Sequence, residues 1–186
     1  MLQVNLNPFP ILETDRLLLR RIVAEDIKEL FFMRSDPGMM EYIKKPLCQR
    51  EEEALEFLER IETGISTNTG INWGITLKGQ AAIIGTVSIW RIDREHYRGE
   101  VGYALMPQYQ GSGIMREALS TVINWGFSIG LHTLEANIDP GNTASRRVLE
   151  SLGFEQDAYR KEDYYYDGHF YDTASFSLIE PTPPKQ

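Results

Sequence analysis

The chain has 186 residues, long enough for one compact domain and short for two, and its 42% hydrophobic and 25% charged residues exclude disordered, collagenous and membrane classes. Nineteen Lys and Arg against 27 Asp and Glu leave a net charge of −8, which argues against nucleic-acid binding through a broad basic surface but not against a small anionic ligand held locally. A single cysteine, Cys48, rules out an intrachain disulfide; three scattered histidines (His96, His132, His169) give no zinc spacing, and no apolar run suits a signal or membrane segment, so the chain reads as soluble, cytoplasmic and metal-free.

Arg16 to Ile22 (RLLLRRI) is predicted as a first strand, and Ile27, Leu30, Phe31 and Arg34 fall at helical spacing in AEDIKELFFMR. Pro37 and Gly38 break that pattern, and a second helix is predicted over Gln49 to Glu62, with Ala54, Phe57, Leu58 and Ile61 on one stripe. Its other face carries Glu51, Glu52, Glu53, Glu56, Glu59 and Glu62, either a solvated acidic face or a wall that attracts a cationic substrate. Three strand-like runs, Asn72 to Leu77, Ala81 to Arg91 and Gly99 to Leu105, are separated by short turns and imply an antiparallel meander. Gly113 to Gly130 reads as a long amphipathic helix with Met115, Ala118, Leu119, Val122, Ile123 and Gly126 on its apolar side. His132 to Ile138 is then a strand, and NTASRRVLESLG is a short helix with Asn142 as N-cap and Gly153 past its end. Phe154 onward returns to strand, with a hairpin turning near Asp167-Gly168, residues Thr173 to Ile179 closing the sheet, and PTPPKQ as a tail. The expected fold class is α/β (α+β): one mixed, largely antiparallel sheet with helices on both faces, in a single domain over 1–186 with its core at about 13–179.

The run from Gly99 to Leu119 carries the most chemistry. A strand, a proline and two glycines lead directly into a helix, which presents the backbone N–H groups of Gly111, Ser112, Gly113, Ile114 and Met115 at a helix N-terminus, a site for phosphate oxygens. Glycine at 111 and 113 lets a pyrophosphate approach the main chain. A Walker loop is excluded because no GK[ST] occurs. A dinucleotide fingerprint fails because Arg116 stands at its third glycine and the preceding strands are antiparallel.

The segment Gln110-Gly111-Ser112-Gly113-Ile114-Met115 resembles the acyl-CoA loop of the GCN5-related N-acetyltransferase (GNAT) superfamily, with Met115 in place of the final small residue, where it narrows the approach to the pyrophosphate. ETDRLLLR (Glu13 to Arg20), IIGTVSI (Ile83 to Ile89), Asn137 and the run Asn142 to Phe154 resemble the first strand, third strand and second cofactor motif of the ribosomal-protein (RimJ/RimL-type) branch. The resemblance implies a fold whose fourth and fifth strands (Gly99 to Leu105 and His132 to Ile138) splay apart to admit acetyl-CoA, with Tyr103, Ala104 and Leu105 bordering the thioester. It needs no metal and no covalent enzyme intermediate. An extended amide chain between splayed strands can pair with their free backbone groups much as a strand would, and a main-chain N–H there can stabilise the developing oxyanion.

Within that site, Ser145 shares a helix stripe with Val148, Leu149 and Leu152, so its hydroxyl points toward the sheet. It either bonds locally to backbone or, as the resemblance implies, serves the CoA sulfur as proton donor or thiolate stabiliser. Asn142 is a cap alone or also meets pantetheine, and Asn137 bonds a turn or does likewise. An amine nucleophile arrives largely protonated, because an α-amine has a pKa of ~8 and lysine of ~10.4. Glu100 is the candidate base, against the alternative of an exposed strand carboxylate. Some relatives have a Glu ahead of the last hairpin, and Tyr164 stands near that position here. Tyr164 either donates a proton, shapes the acceptor pocket or is simply strand composition. Arg116, Arg146 and Arg147 either offset phosphate charge or are solvated.

The expected activity is acetyl transfer from acetyl-CoA directly to a primary amine, foremost a protein N-terminal α-amine of the ribosomal-protein alanine or serine type. Two alternatives stay open: a small cationic amine such as a polyamine or aminoglycoside, and a non-catalytic acyl-CoA sensor, to which Met115 and the missing hairpin Glu lend support. Neither direct nucleic-acid nor membrane contact is expected, and the chain is read as a monomer or homodimer.

Overall fold

A computed structural model describes residues 1–181, so most of the tail read at PTPPKQ lies outside the described residues. The strands are β1 (Leu12–Glu13), β2 (Leu17–Arg21), β3 (Ile71–Leu77), β4 (Gly85–Asp93), β5 (Arg98–Leu105), β6 (Thr133–Ile138), β7 (Glu155–Tyr166) and β8 (His169–Ile179). The α-helices are α1 (Ile27–Ser35), α2 (Pro37–Met40), α3 (Glu51–Ser66), α4 (Ile114–Ser128) and α5 (Thr143–Ser151).

One sheet runs in the order β1-β2-β3-β4-β5-β6-β8-β7. Every neighbouring pair is antiparallel except β5 and β6, which are parallel because the α4 crossover joins them. The expected meander and mixed sheet are therefore present, with an added β1. The strand expected to begin at Ala81 begins at Gly85 instead; Ile83 and Ile84 lead into it as buried residues, with the Ile84 N–H donating to the Ile75 carbonyl at 2.7 Å. Pro37, read as a break, opens the short helix α2: Asp36 caps it by accepting from the Met39 N–H, and proline suits the first helical turn.

Each strand gives one apolar face to the core. Trp73, Val87, Ile89 and Leu134 lie under α4, whose Ala118, Leu119 and Val122 are fully buried. Gly126 is small by necessity there, since a Cβ would stand 2.8 Å from the Ile89 side chain. Burying each such side chain contributes about 1.5–3 kcal/mol. Residues of α1 and α3 wall a cleft on the opposite face, whose floor is polar. Asn72 pairs in register with Ser88, Ser88 with Gly102, Thr86 with Ala104 and Trp90 with Glu100. A bulge between Trp90 and Asp93, with Arg91 at φ 49°, interrupts the alternation, so that Trp90 and Arg91 both border the cleft.

The β5–β6 ladder has only three pairs, Arg98↔Thr133, Gly99↔Leu134 and Glu100↔Glu135. Beyond Glu100 the two strands part, each still paired on its outer side, β5 to β4 and β6 to β8. This is the splay the resemblance implies.

Candidate active site

Three parts meet at the parted strands: a glycine loop at the start of α4, the seam between β5 and β6, and the cleft beneath α1 and α3. In the loop, Gly111 and Gly113 have φ of 73° and 77°, a region that costs other residues about 1–2 kcal/mol. No atom lies within 4 Å of where a Cβ at Gly111 would stand, so the main chain there is open to a ligand. Residues 110–113 are exposed, while Ile114 and Met115 are buried and contribute only backbone to the loop. Met115 is 7% exposed and packs in the core, so its side chain does not narrow the phosphate approach as expected. Gln110 turns back to donate from Nε2 to the Leu105 carbonyl at 2.9 Å, and Ser112 donates to the Tyr109 carbonyl at 2.6 Å; both brace the loop.

A cation that sequence reasoning treated only as strand stands beside this loop. Arg16 donates from Nη1 to the Ser112 carbonyl at 3.0 Å and pairs with Glu117 of α4 at 2.6 Å, and Thr14 donates to the same carboxylate. Burial pushes the Glu117 carboxyl upward, but the bonds from Thr14 and Arg16 together outweigh it and hold the group below its ordinary range. Of the arginines considered, Arg116 and Arg147 are exposed, and Arg146 is turned to β7, where it donates to Gln156 at 3.0 Å.

At the seam, the Tyr103 hydroxyl lies 2.7 Å from the Ser145 Oγ. Asn142 caps α5 by accepting from the Ser145 N–H at 3.0 Å, which aims that buried serine at the strand gap. Burial pushes the Tyr103 phenol up to about 12, only partly opposed by Ser145, so Tyr103 remains protonated near neutrality. Ala104 lines the cleft, whereas Leu105 faces the core.

The cleft has a volume of about 980 Å³ and is bordered by Tyr103, Asn142, Ser145 and Tyr164 as well as Glu100. Glu100 is 8% exposed, which overturns the reading of it as an exposed strand carboxylate. Burial raises its pKa above the ordinary value, against the opposing pull of Arg91, paired at 3.0 Å, and of the neighbouring Asn137 amide. Asn137 bonds no turn: its Oδ1 accepts from Ser175 at 2.6 Å and Arg160 at 3.0 Å. A second hollow of about 720 Å³ shares Arg91, Glu100, Asn137 and Arg160 with the cleft. Tyr164 follows a second bulge, at Glu162, and donates to the Lys44 carbonyl at 3.1 Å, tying the last hairpin to the loop before α3. None of the six glutamates on the outer face of α3 lines the cleft, and Glu62 pairs with Arg21 instead. That face is solvated and does not wall the site.

The geometry thus joins an open main-chain loop, a seam of unpaired strand edges, two hydroxyls and a buried carboxylate of raised pKa. Among the described residues, no group of three or more His, Cys, Asp or Glu is arranged to hold a metal, and no helix is long and apolar enough to cross a membrane. Residues 16–155 match the family model for the acetyltransferase (GNAT) domain. The chain is 32% identical over 174 residues to the uncharacterized N-acetyltransferase YoaA of Bacillus subtilis (strain 168), covering 93% of this chain and 98% of that one. It is 20% identical to the spermidine N(1)-acetyltransferase of Vibrio cholerae, over 89% of this chain and 94% of that one. The crystal structure of the ribosomal-protein-S5-alanine acetyltransferase from Vibrio fischeri superposes with a TM-score of 0.81 at 30% identity, covering 92% of this chain and 97% of that one. Strand order, seam, loop and family model agree, and the chain belongs to the GNAT family of N-acetyltransferases.

Proposed function

We propose that the chain transfers acetyl from acetyl-CoA to the α-amine of a protein N-terminus. The observation that carries this reading is the buried carboxylate of Glu100, set in the cleft floor where β5 and β6 part. The open backbone at Gly111 and Gly113 fits a pyrophosphate, and the parted strand edges fit an extended amide chain. Acetyl-CoA supplies the activated acetyl group as a thioester. Glu100 takes a proton from the amine, directly or through water, as the amine nitrogen bonds to the acetyl carbon; the carbon–sulfur bond breaks and the sulfur receives a proton from Ser145 or Tyr103. An α-amine, with a pKa of ~8, yields its proton to a carboxylate more readily than lysine at ~10.4. A cleft of about 980 Å³ between α3 and the last hairpin has room for a chain end. The relative that acts on ribosomal protein S5 supports this acceptor class, whereas the solvated outer face of α3 favours neither it nor a polyamine.

The test is acetyl-CoA turnover against a panel of N-terminal peptides, polyamines and aminoglycosides, read by thiol release and product mass. Acetylation of peptide α-amines is expected. Turnover confined to the small amines overturns the protein acceptor, and CoA binding without any transfer overturns catalysis.

A further inference from the structure

The inner wall of the cleft differs in charge from the molecule as a whole. Its three carboxylates are each taken by a cation: Glu100 by Arg91 at 3.0 Å, Asp139 by Lys44 at 3.5 Å and Asp163 by Arg160 at 2.8 Å. Three further cations in the same wall, Arg34, Lys45 and Arg60, have no carboxylate partner among the described residues. Cleft and molecule therefore have opposite signs, since the net charge of −8 comes in large part from acids turned outward, as on α3.

Two of these cations share one platform. The guanidinium carbon of Arg34 lies 4.5 Å from the centre of the Phe57 ring, and that of Arg60 lies 5.6 Å from the same ring. Stacking fixes the plane of a guanidinium and leaves its N–H edge to meet an acceptor. The Nε of Arg34 is buried and donates to nothing, although a buried donor is ordinarily paired. The Oδ1 of Asn72, on the cleft floor, is likewise buried and accepts from nothing. Arg34 and Arg60 thus border the cleft at the Phe57 wall without a carboxylate partner, and beneath its surface the Arg34 Nε and the Asn72 Oδ1, in the strand next to β4, lack partners within the protein. Glu100 stands beyond these. A polycation finds only carboxylates that are already paired.

We infer that the acceptor is a primary amine carrying an oxyanion, a carboxylate or a phosphate, which Arg34 and Arg60 hold while the amine faces Glu100. The inference rests on the acetyl-transfer reading for the amine end alone; the oxyanion subsite is testable without turnover. Planar guanidinium donors suit the paired oxygens of either group.

Two measurements test it. In the CoA-saturated protein, where the loop at Gly111 is already occupied, sodium phosphate and sodium glutarate are titrated while the Arg34 Nε–Hε resonance is followed. A saturable shift is expected in wild type, with saturation lost in Arg60→Gln; an unmoved resonance up to tens of millimolar overturns the subsite. In turnover assays, alanine-led tripeptide amides with aspartate, phosphoserine or asparagine at the second position are compared, alongside β-alanine, its amide and spermidine. The anionic members are expected to exceed their neutral partners about tenfold in kcat/KM, through KM. That ratio falls toward one in Arg34→Gln and Arg60→Gln and is partly kept in Arg60→Lys. Equal rates for charged and neutral members, an unchanged ratio in the variants, or a preference for spermidine overturns the inference. If no amine is acetylated, the acetyl-transfer reading fails and the titration alone decides the anion subsite. Arg60 is exposed, so its variants report on binding even if Arg34→Gln does not fold.

Discussion

Replacing Glu100 with Gln isolates the base from the fold. Gln keeps the volume of the buried side chain and can still accept from Arg91, so packing beside Trp90 and Asn137 is preserved. The ion pair that is lost is worth about 0–1 kcal/mol, because the Arg91 side chain is 66% exposed and water can replace its partner. Loss of a general base costs about 10²-fold to 10⁴-fold in rate, or about 2.7–5.4 kcal/mol of barrier, several times the structural effect. Proton linkage gives a second signature. Burial raises the folded-state pKa of Glu100, so the native state holds its proton longer than the unfolded chain and loses stability as pH rises from the unfolded value toward the folded one. Gln removes that loss: the variant is expected to equal wild type in Tm below the ordinary carboxylate pKa of ~4.3 and to equal or exceed it near neutrality. The assay pairs steady-state thiol release over pH with calorimetric Tm at the same pH values. In wild type, kcat/KM carries, besides the limb near ~8 from the acceptor amine itself, an acid limb whose midpoint lies above ~4.3 and which is absent from the variant. An unchanged kcat in Glu100→Gln would refute the base assignment, and so would a variant profile that keeps every acid limb of the wild type.

Ser145→Ala removes the 2.7 Å contact with Tyr103 at a cost of about 1 kcal/mol, a Tm loss of about 2–4 °C. If Ser145 protonates the departing sulfur, its kcat defect shrinks above pH ~8.5, where a thiolate leaves unaided; a pH-independent defect argues against that role. Gly113→Ala places a side chain at φ 77°, where the added Cβ meets only the Arg16 guanidinium at 3.6 Å, so its effect is backbone strain at the loop. Calorimetric titration is expected to show CoA binding weakened more than about tenfold, equivalent to ~1.4 kcal/mol, while Gly79→Ala, equally strained at φ 82° in a remote turn, leaves it unchanged. Arg16→Gln is expected to raise the KM for acetyl-CoA and leave that for the acceptor unaltered, because its side-chain bonds run to Ser112 and Glu117 alone.

What could be read from sequence was mostly local. Two glycines before an amphipathic helix, an asparagine cap and an Asp-Gly turn each act within a few residues, and α4, Asn142 and the β7–β8 turn stand where those signals put them. The burial of Met115 was also legible, since it shares a stripe with Ala118, Leu119 and Val122, and that stripe conflicts with a side chain in the phosphate approach. The pairings that define the site are not local. Arg16 meets Ser112 across 96 positions, and Tyr164 meets Lys44 across 120. The bulge that turns Arg91 toward Glu100 leaves no composition signal, because its left-handed residue is an arginine and not a glycine. Arg34 and Phe57 belong to different helices, and neither periodicity reports that they face one cleft.

The parting of β5 from β6 also bears on how such a chain tolerates change. Residues 101–105 and 136–138 turn toward one another main-chain edges that no neighbouring strand uses. Backbone amides and carbonyls are the same whatever side chain they carry, so a recognition surface made of them survives substitution that would erase one made of side chains. Identity of only 30% to the Vibrio fischeri acetyltransferase, with the architecture kept at a TM-score of 0.81, is the pattern such insulation permits. What a lineage must hold constant is a place where two strands separate; the cleft walls beyond it are free to be rewritten for a different partner.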